Sequence, residues 1–213
     1  MTSFGVVKTV RNITNERKVG HGGTLDPFAE GVLLVGTGKD TKVLSKFSNA
    51  DKAYNATLLL GKLTNTLDTE GEVIQEKDVP GITENKIKKV LSSMVGWRTQ
   101  IPPMYSAKKI NGVPLYRLAR KNIVVKRKPI IINIIDAKLL RLSGSEISFS
   151  IKCSKGTYIR VVGKDIAEQL GTVGHLIKLV RTKVGNYSIQ KSTTIECFSK
   201  TWKSLNQKVH LHQ

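Results

Sequence analysis

The sequence of 213 residues has few acidic residues, few aromatic residues and only two cysteines. Its 16 Asp and Glu stand against 35 Lys and Arg, and the resulting net charge of +19 favours polyanionic partners such as nucleic acid. Cys153 and Cys197 are far apart and have no histidine at a metal-ligand spacing, so we expect free thiols and no metal site.

Long apolar runs are also absent from the sequence. No stretch approaches the roughly 20 apolar residues of a membrane-spanning helix, and no secretory signal is recognisable at the N-terminus. We therefore expect a protein that does not bind membranes. We expect it in the cytoplasm, with an organelle of a eukaryotic cell as the alternative location. With 39% apolar residues, the chain can still build one substantial core.

The most unusual stretch is Gly20–Gly31, which has neither a helical nor a strand period. Glycines before Asp26 allow positive φ angles and a close approach to a ligand, and Pro27 fixes the backbone directly after it. The residues alone leave two interpretations open. Asp26 either accepts hydrogen bonds within an ordinary turn or is a reactive carboxylate held in a shaped loop.

The pattern Gly-His-x-Gly-Thr-Leu-Asp-Pro-x-Ala-x-Gly in this stretch resembles the catalytic motif of the TruB family of tRNA pseudouridine synthases. The resemblance implies a reaction without cofactor or metal that converts one uridine of the TΨC loop to pseudouridine. It also implies that Asp26 is the nucleophile and that His21 lies where the target nucleotide is turned out of the RNA. Gly23 and Thr24 of the same motif are expected to contact the substrate.

Two further segments resemble the same family. Lys52-Ala53-Tyr54, followed by Leu-Gly-x-x-Thr-x-Thr-x-Asp-x-x-Gly, implies that Tyr54 stacks on the uracil and takes the proton from C5, although a lone tyrosine is more often an ordinary strand residue. Because a phenol is a weak base near neutral pH, we expect help from Lys52 or Lys155.

The other segment, Cys-Ser-Lys-Gly-Thr-Tyr-Ile-Arg, ends at Arg160. The resemblance implies that Arg160 pairs with Asp26, and we expect its guanidinium to keep that carboxylate ionised and oriented. Lys155 and Tyr158 in this segment are expected to contact the substrate.

A basic segment runs from Lys108 to Lys128 with eight basic residues and no acidic one. It follows Gln-x-Pro-Pro-x-Tyr-Ser-Ala, which also resembles the family, and this position implies contacts with the T arm of tRNA. A solvated surface is the alternative interpretation of such a charge run. Another basic contact is expected at Arg181, although Val180 replaces an arginine of the family pattern. The expected contacts of the basic segment are Lys108, Lys109, Arg117 and Arg120.

The spacing of apolar residues predicts the secondary structure. Helices are expected over Ser3–Ile13, through Val43 and Phe47, after Thr83, and from Ile159 to Leu170; strands are expected over Val32–Val35, from Lys52 to Leu60, and as a hairpin of residues 129–142 and 146–153. The resemblance implies an α+β fold in which helices flank a mixed, mostly antiparallel sheet with a central catalytic cleft.

The expected organisation is a catalytic domain over residues 1–190 and a short basic tail over residues 191–213. We expect a monomer without the family's N-terminal Lys-Pro strand and without a PUA domain. Three alternatives compete with tRNA modification: a noncatalytic RNA-binding protein, a dyskerin-like enzyme that uses a guide RNA to modify rRNA, and a hydrolase built on His21 and Asp26. The hydrolase has no evident third catalytic member.

Overall fold

The structure, a computed structural model, describes residues 1–210 as a chain of helices and strands. The elements up to residue 100 are α1 (Ser3–Thr14), β1 (Val19–His21), β2 (Glu30–Gly31), β3 (Val35–Thr37), a 3-10 helix (Gly38–Val43), α2 (Leu44–Asn49), β4 (Lys52–Leu60), β5 (Lys62–Thr64), β6 (Val73–Glu76), α3 (Glu84–Met94) and β7 (Gly96–Gln100). The elements after residue 100 are β8 (Lys109–Ile110), β9 (Val113–Pro114), α4 (Leu115–Ala119), β10 (Ile130–Ser143), β11 (Glu146–Cys153), α5 (Ile159–Gln169), β12 (Gly174–Val184), β13 (Tyr187–Ser188), a second 3-10 helix (Ile189–Lys191) and α6 (Ile195–His210).

One sheet of seven strands organises the molecule. Six strands follow the order β13-β12-β4-β11-β10-β7, and β2 pairs with β12. Neighbouring strands are antiparallel except for β2 and β12, which run parallel. The predicted α+β fold with a mixed, mostly antiparallel sheet and flanking helices is thereby confirmed.

The main core lies on one face of this sheet. Alternate residues of β4, including Ala56 and Leu58, are buried on that face because successive strand side chains point to opposite sides. Helix α5 packs on β12 so closely that a Cβ added at Gly163 would stand 2.7 Å from Leu176 Cδ2. The segment that carries Arg160 at the start of α5 is therefore fixed firmly against the sheet.

A second, smaller core joins the two ends of the described chain. Val7 and Val10 of α1 pack with Val19 of β1, and Phe198 of α6 packs against the same cluster. Residues 191–213, expected to be a short basic tail, thus include a helix that contacts α1. None of the helices within residues 1–210 combines the length and apolar character needed to cross a membrane.

Most predicted elements are present, including α1, α3 with its Thr83 cap, and the β10–β11 hairpin. The predicted strand Val32–Val35 is wrong, because residues 32–34 lie between β2 and β3 outside any strand. Val32 is bound by Arg181, whose carbonyl oxygen accepts from Val32 N at 2.9 Å and whose Nε donates to Val32 O at 2.8 Å. The helix predicted after Gly38 is a 3-10 helix up to Val43 and α-helical only from Leu44.

Gly31 provides a test of how tightly the loop Gly20–Gly31 is fixed to β12. Its φ is +106°, and an added Cβ would overlap the Arg181 carbonyl oxygen and lie 2.8 Å from Arg181 N. Gly96 has a similar φ of +111° with nothing within 4 Å of an added Cβ, so it is the matched control.

We predict that Gly31→Ala lowers the free energy of unfolding by at least about 2 kcal/mol more than Gly96→Ala. Both substitutions carry the backbone strain of a positive φ, about 1–3 kcal/mol, but only the first forces two chain segments apart. Urea denaturation of both variants measures the difference. Equal losses would show that the contact between the loop and β12 yields without cost.

Candidate active site

The loop that contains Asp26 is fixed on several sides by hydrogen bonds. Gly22 N donates to Leu34 O at 2.8 Å, and Leu25 N donates to the Ser3 hydroxyl at 2.9 Å. Ala29 N donates to the carbonyl oxygen of Asp26 at 3.0 Å, which closes the turn at Pro27. The Asp26 side chain therefore projects from a backbone whose path is set before any ligand binds.

A bidentate ion pair joins Asp26 to Arg160 at the start of α5. Arg160 Nε lies 2.9 Å from Asp26 Oδ2, and Nη2 lies 3.0 Å from Asp26 Oδ1. The arginine side chain is 3% exposed and the aspartate side chain is 30% exposed, so the carboxylate faces open space and the guanidinium lies behind it. A planar guanidinium fixes the plane of a carboxylate as well as its position.

The other donors of Arg160 are also bound. Nη1 donates to Thr66 O at 2.6 Å and lies 3.2 Å from Asp68 Oδ2, and Nη2 donates to Tyr105 O at 2.8 Å. Asp68 is buried, and its Oδ1 accepts from the Thr66 hydroxyl at 2.6 Å and from Glu70 N at 3.0 Å. Each guanidinium nitrogen of Arg160 thus has an acceptor, which leaves the side chain a single orientation.

A second buried arginine, Arg181 of β12, holds the loop by its backbone. Its Nη1 donates to Thr24 O at 3.2 Å and its Nη2 to Gly23 O at 3.3 Å, in addition to the bond from Nε to Val32 O. Arg181 was predicted to contact the substrate, but its side chain is fully buried and turned to these carbonyls. Its position is that of a support beneath the loop.

Tyr54 lies in β4 directly opposite Arg181 of β12 and is buried. Burial raises the pKa of the Tyr54 phenol to about 12, and the positive charge of Arg181 opposes this rise. At neutral pH the side chain is therefore a neutral phenol.

The two lysines expected to assist Tyr54 both donate hydrogen bonds to other groups. Lys52 Nζ donates to the carbonyl oxygens of Phe47, Ser48 and Ala50 at 3.1, 2.7 and 2.7 Å, and burial together with the charge of Arg181 lowers the pKa of this ammonium. Lys155 Nζ donates to Asn49 Oδ1 at 2.8 Å. Both lysines bind the C-terminal end of α2 and its neighbourhood, whereas the charge of Arg181 lowers the pKa of the Tyr54 phenol.

A cavity opens in front of Asp26 and brings together residues from distant parts of the chain. The predicted site residues that line it are Gly23, Thr24, Asp26, Lys52, Tyr54 and Tyr158. Other lining residues are Leu25, Ser48, Ser106, Ala107, Gly156, Thr157, Ile159 and Leu179. Apolar and polar groups thus surround one exposed carboxylate edge, which suits a planar ring with polar edges.

His21 is not among the residues that line this cavity. Its Nδ1 accepts a hydrogen bond from Gly23 N at 3.3 Å, which orients the imidazole along the loop. Burial and the nearby charge of Arg181 lower the pKa of His21, so a neutral imidazole is favoured. The structure thus places His21 beside the cavity and not within its wall.

Tyr158 immediately precedes α5 and forms part of the cavity wall. The side chain of Gln100 binds both backbone groups of Tyr158: Tyr158 N donates to Gln100 Oε1 at 2.8 Å, and Gln100 Nε2 donates to Tyr158 O at 3.2 Å. Burial raises the pKa of the Tyr158 phenol, while the neighbouring Ser106 lowers it.

The basic segment Lys108–Lys128 begins next to the cavity, one residue after Ala107. Lys109, Arg117 and Arg120 are exposed and Lys108 is half-buried. Among the described residues, none of these four forms an ion pair with a carboxylate. Their charges are free to meet an anionic ligand that enters the cavity.

Sequence reasoning did not assign site roles to Asp68 or Gln100. Both lie in segments whose resemblance to the family was recognised, so a signal was present in the motifs. Their contacts join residues 92 and 58 positions apart in the chain, a separation that periodicity cannot bridge.

Residues 11–159 match the model of the "TruB family pseudouridylate synthase (N terminal domain)". Over 196 residues, 92% of this chain, it is 44% identical to the tRNA pseudouridine synthase B of Syntrophotalea carbinolica and 45% identical to that of Clostridium tetani. These alignments cover 64% and 68% of the two relatives, so the chain spans about two thirds of their length.

Two solved structures contain chains whose fold is similar to that of this chain. A chain in the crystal structure of a Cbf5-Nop10-Gar1 complex is 29% identical with a TM-score of 0.69, over 88% of this chain and 46% of that one. A chain in the structure of an H/ACA RNP bound to a substrate RNA containing 2'-deoxyuridine has a TM-score of 0.72 over 98% of this chain and 52% of that one. At 23% identity the second likeness concerns the fold alone.

We predict that Asp68→Asn lowers the free energy of unfolding by about 2–4 kcal/mol, because it leaves part of a buried guanidinium without its anion. Asp136→Asn is the control: that carboxylate is about half exposed in an ion pair with Lys138, and its loss should cost less than about 1 kcal/mol. Urea denaturation at neutral pH compares the two. A loss for Asp68→Asn as small as that of the control would mean that Asp26 alone satisfies Arg160.

Proposed function

The chain belongs to the TruB family of pseudouridylate synthases, and from this premise we propose that it converts a uridine in the TΨC loop of tRNA to pseudouridine. The observation that carries the proposal is the Asp26 carboxylate, held by Arg160 at the edge of a cavity that two tyrosines also line. The relatives named tRNA pseudouridine synthase B support tRNA as the substrate.

The reaction breaks the bond between N1 of uracil and the ribose and joins C5 of the same base to the ribose. Asp26 would act as the nucleophile, because its outer edge faces the cavity while Arg160 occupies the other side. Both oxygens of Asp26 accept from the guanidinium, which fixes the direction of attack before RNA binds. Attack on the base and attack on the sugar carbon both fit this geometry.

Tyr54 would pack against the uracil ring and take part in the removal of the C5 proton. With a pKa of about 12 it meets the substrate as a neutral phenol, so proton transfer to its oxygen depends on the positive charge of Arg181 nearby. Tyr158 would form the opposite part of the base pocket. His21, neutral and beside the cavity, would fill the space that the flipped nucleotide leaves in the RNA loop.

The basic segment Lys108–Lys128 supports the T arm as the part of tRNA that the chain grips, because its unpaired charges start at the cavity. Turning a base out of a folded loop costs a few kcal/mol, and phosphate contacts can offset that cost. We place this activity in the cytoplasm, where the chain would act as a monomer.

The alternatives receive less support. Identity to the tRNA enzymes, 44–45%, is well above the 29% found for a chain of the Cbf5-Nop10-Gar1 complex, which favours tRNA as the substrate. A noncatalytic RNA-binding protein has no use for a carboxylate oriented by a buried arginine.

We predict that Asp26→Asn abolishes pseudouridine formation and changes tRNA affinity by no more than about threefold, because the amide is nearly isosteric but cannot act as a nucleophile. Asp68 remains as an anion beside Arg160, so the variant should still fold. The measurement maps pseudouridine at each nucleotide of an unmodified tRNA transcript, with Asp136→Asn as the control. Substantial product from Asp26→Asn would contradict the role of Asp26 as the nucleophile. Product outside the TΨC loop with the unaltered protein would contradict the proposed substrate.

We predict that replacing four basic residues together by alanine makes the slope of log affinity against log salt concentration less steep by about three units. The four residues are Lys108, Lys109, Arg117 and Arg120. Each phosphate contact contributes roughly −0.7 to −0.9 to the slope of log affinity against log salt concentration. The control replaces four exposed basic residues on parts of the chain that contribute nothing to the cavity, so that both variants lose the same charge: Lys77, Lys89, Lys138 and Arg141.

Salt titrations with an isolated T-arm stem-loop and with whole tRNA make the measurement. We expect the control to keep a slope close to that of the unaltered protein, and the two RNAs to bind within about tenfold of each other. Equal flattening by both variants would show that net charge, and not the basic segment, determines binding.

A further inference from the structure

We propose that Gln100 is a positioning residue of this active site, whose side-chain amide sets the place of Tyr158 in the cavity wall. The inference rests on the proposed function for its catalytic consequence. Its structural basis is the pair of hydrogen bonds between the Gln100 amide and the Tyr158 backbone.

Gln100 is the last residue of β7 and is 4% exposed. Its oxygen accepts from Tyr158 N and its nitrogen donates to Tyr158 O, so one amide replaces the backbone partner that a neighbouring strand would supply. The two residues are 58 positions apart. Tyr158 is extended, with φ −93° and ψ 104°, and no side chain caps the first turn of α5.

The segment that follows Gln100 contacts the same part of the chain again. Tyr105 O accepts from Arg160 Nη2 at 2.8 Å, and Ser106 lies in the cavity wall close enough to affect the pKa of Tyr158. Residues 100–106 therefore hold the start of α5 at Tyr158 and at Arg160.

A catalytic consequence follows from the order of residues at this point. Tyr158 and Ile159 line the cavity, and Arg160 orients Asp26. A shift of the Tyr158 backbone would change the width of the base pocket and the direction of the Asp26 carboxylate together. Misplacement by about 1 Å at such a site can cost on the order of a hundredfold in rate.

The substitution Gln100→Glu tests the inference, because pH determines whether the introduced side chain can still donate a hydrogen bond to Tyr158 O. A protonated carboxyl offers one acceptor and one donor, as the amide does, whereas a carboxylate keeps the acceptor for Tyr158 N but repels Tyr158 O. Burial raises the pKa of a carboxyl introduced there above its usual value of about 4.3. Gln169→Glu is the matched control, because Gln169 is exposed and binds Ser93 and Met94 away from the cavity.

The assay measures single-turnover pseudouridine formation and RNA affinity from about pH 5.5 to 9.5, each as a ratio to the unaltered protein at the same pH. The ratio removes pH effects that both proteins share. The charged and titratable groups on β7 and on the segment it binds are Arg98, Tyr158 and Arg160, together with the two carboxylates that Arg160 contacts, Asp26 and Asp68. At the lowest pH we expect the rate of Gln100→Glu to lie within about threefold of that of the unaltered protein. As the pH rises and the carboxylate forms, the rate ratio should fall to about one tenth or less, with RNA affinity constant within about twofold.

A rate ratio that stays flat with pH, or that falls equally for Gln169→Glu, would overturn the inference. A loss that RNA affinity alone accounts for would do the same. Thermal unfolding of each variant at each pH confines the comparison to folded protein.

A second readout is independent of activity. In Gln100→Met, which keeps the size of the side chain but removes both hydrogen bonds, we expect faster amide hydrogen exchange in residues 156–160. Gln169→Met should leave that segment unchanged, and unchanged exchange in both variants would contradict the inference. If the unaltered protein forms no pseudouridine, the proposed function fails, and the exchange measurement alone decides whether Gln100 positions Tyr158.

Discussion

The structure depends on one buried guanidinium. Arg160 contacts Asp26 of the loop, Asp68 after β5 and the Tyr105 carbonyl before β8, so a single side chain joins three segments that are distant in sequence. A guanidinium out of water is costly unless its donors are satisfied, and here each nitrogen has an acceptor. The same requirement that stabilises the fold orients the Asp26 carboxylate. The Asp26 loop, the segment after β5 and the segment before β8 therefore all meet helix α5 at one side chain.

Much of the fold was accessible from the sequence because local patterns determine it. Alternation in β4, the Thr83 cap of α3 and the turn between β10 and β11 are encoded within a few residues of where they act. The prediction failed where a distant residue decided the outcome: the apolar run Val32–Val35 predicts a strand, but the carbonyl oxygen of its first residue accepts from the Arg181 side chain and residues 32–34 lie outside any strand. A run of four apolar residues carries too little periodicity to show this.

In the site, too, local motifs predict some features, whereas distant contacts determine others. The motifs singled out Asp26 and Arg160, and the structure places them in a bidentate pair. They could not show that Arg181 and Lys52 are buried with their donors turned to carbonyl oxygens, because burial of a cation depends on the whole fold. An arginine in a basic sequence looks the same whether it meets phosphate or backbone. Gln100 was missed for a related reason, since its partner is a backbone group that leaves no trace in side-chain patterns.

Two arginines hold the loop from two directions, Arg160 by the Asp26 side chain and Arg181 by the Gly23 and Thr24 carbonyls. A loop held in this way has little freedom left to adapt to a bound molecule. With the proposed RNA substrate, the adaptation on binding would then have to come from the nucleic acid. Selection among RNAs passes to the surface, where basic residues can change without disturbing the buried framework. Such a separation would let one catalytic framework serve different RNAs in the course of evolution.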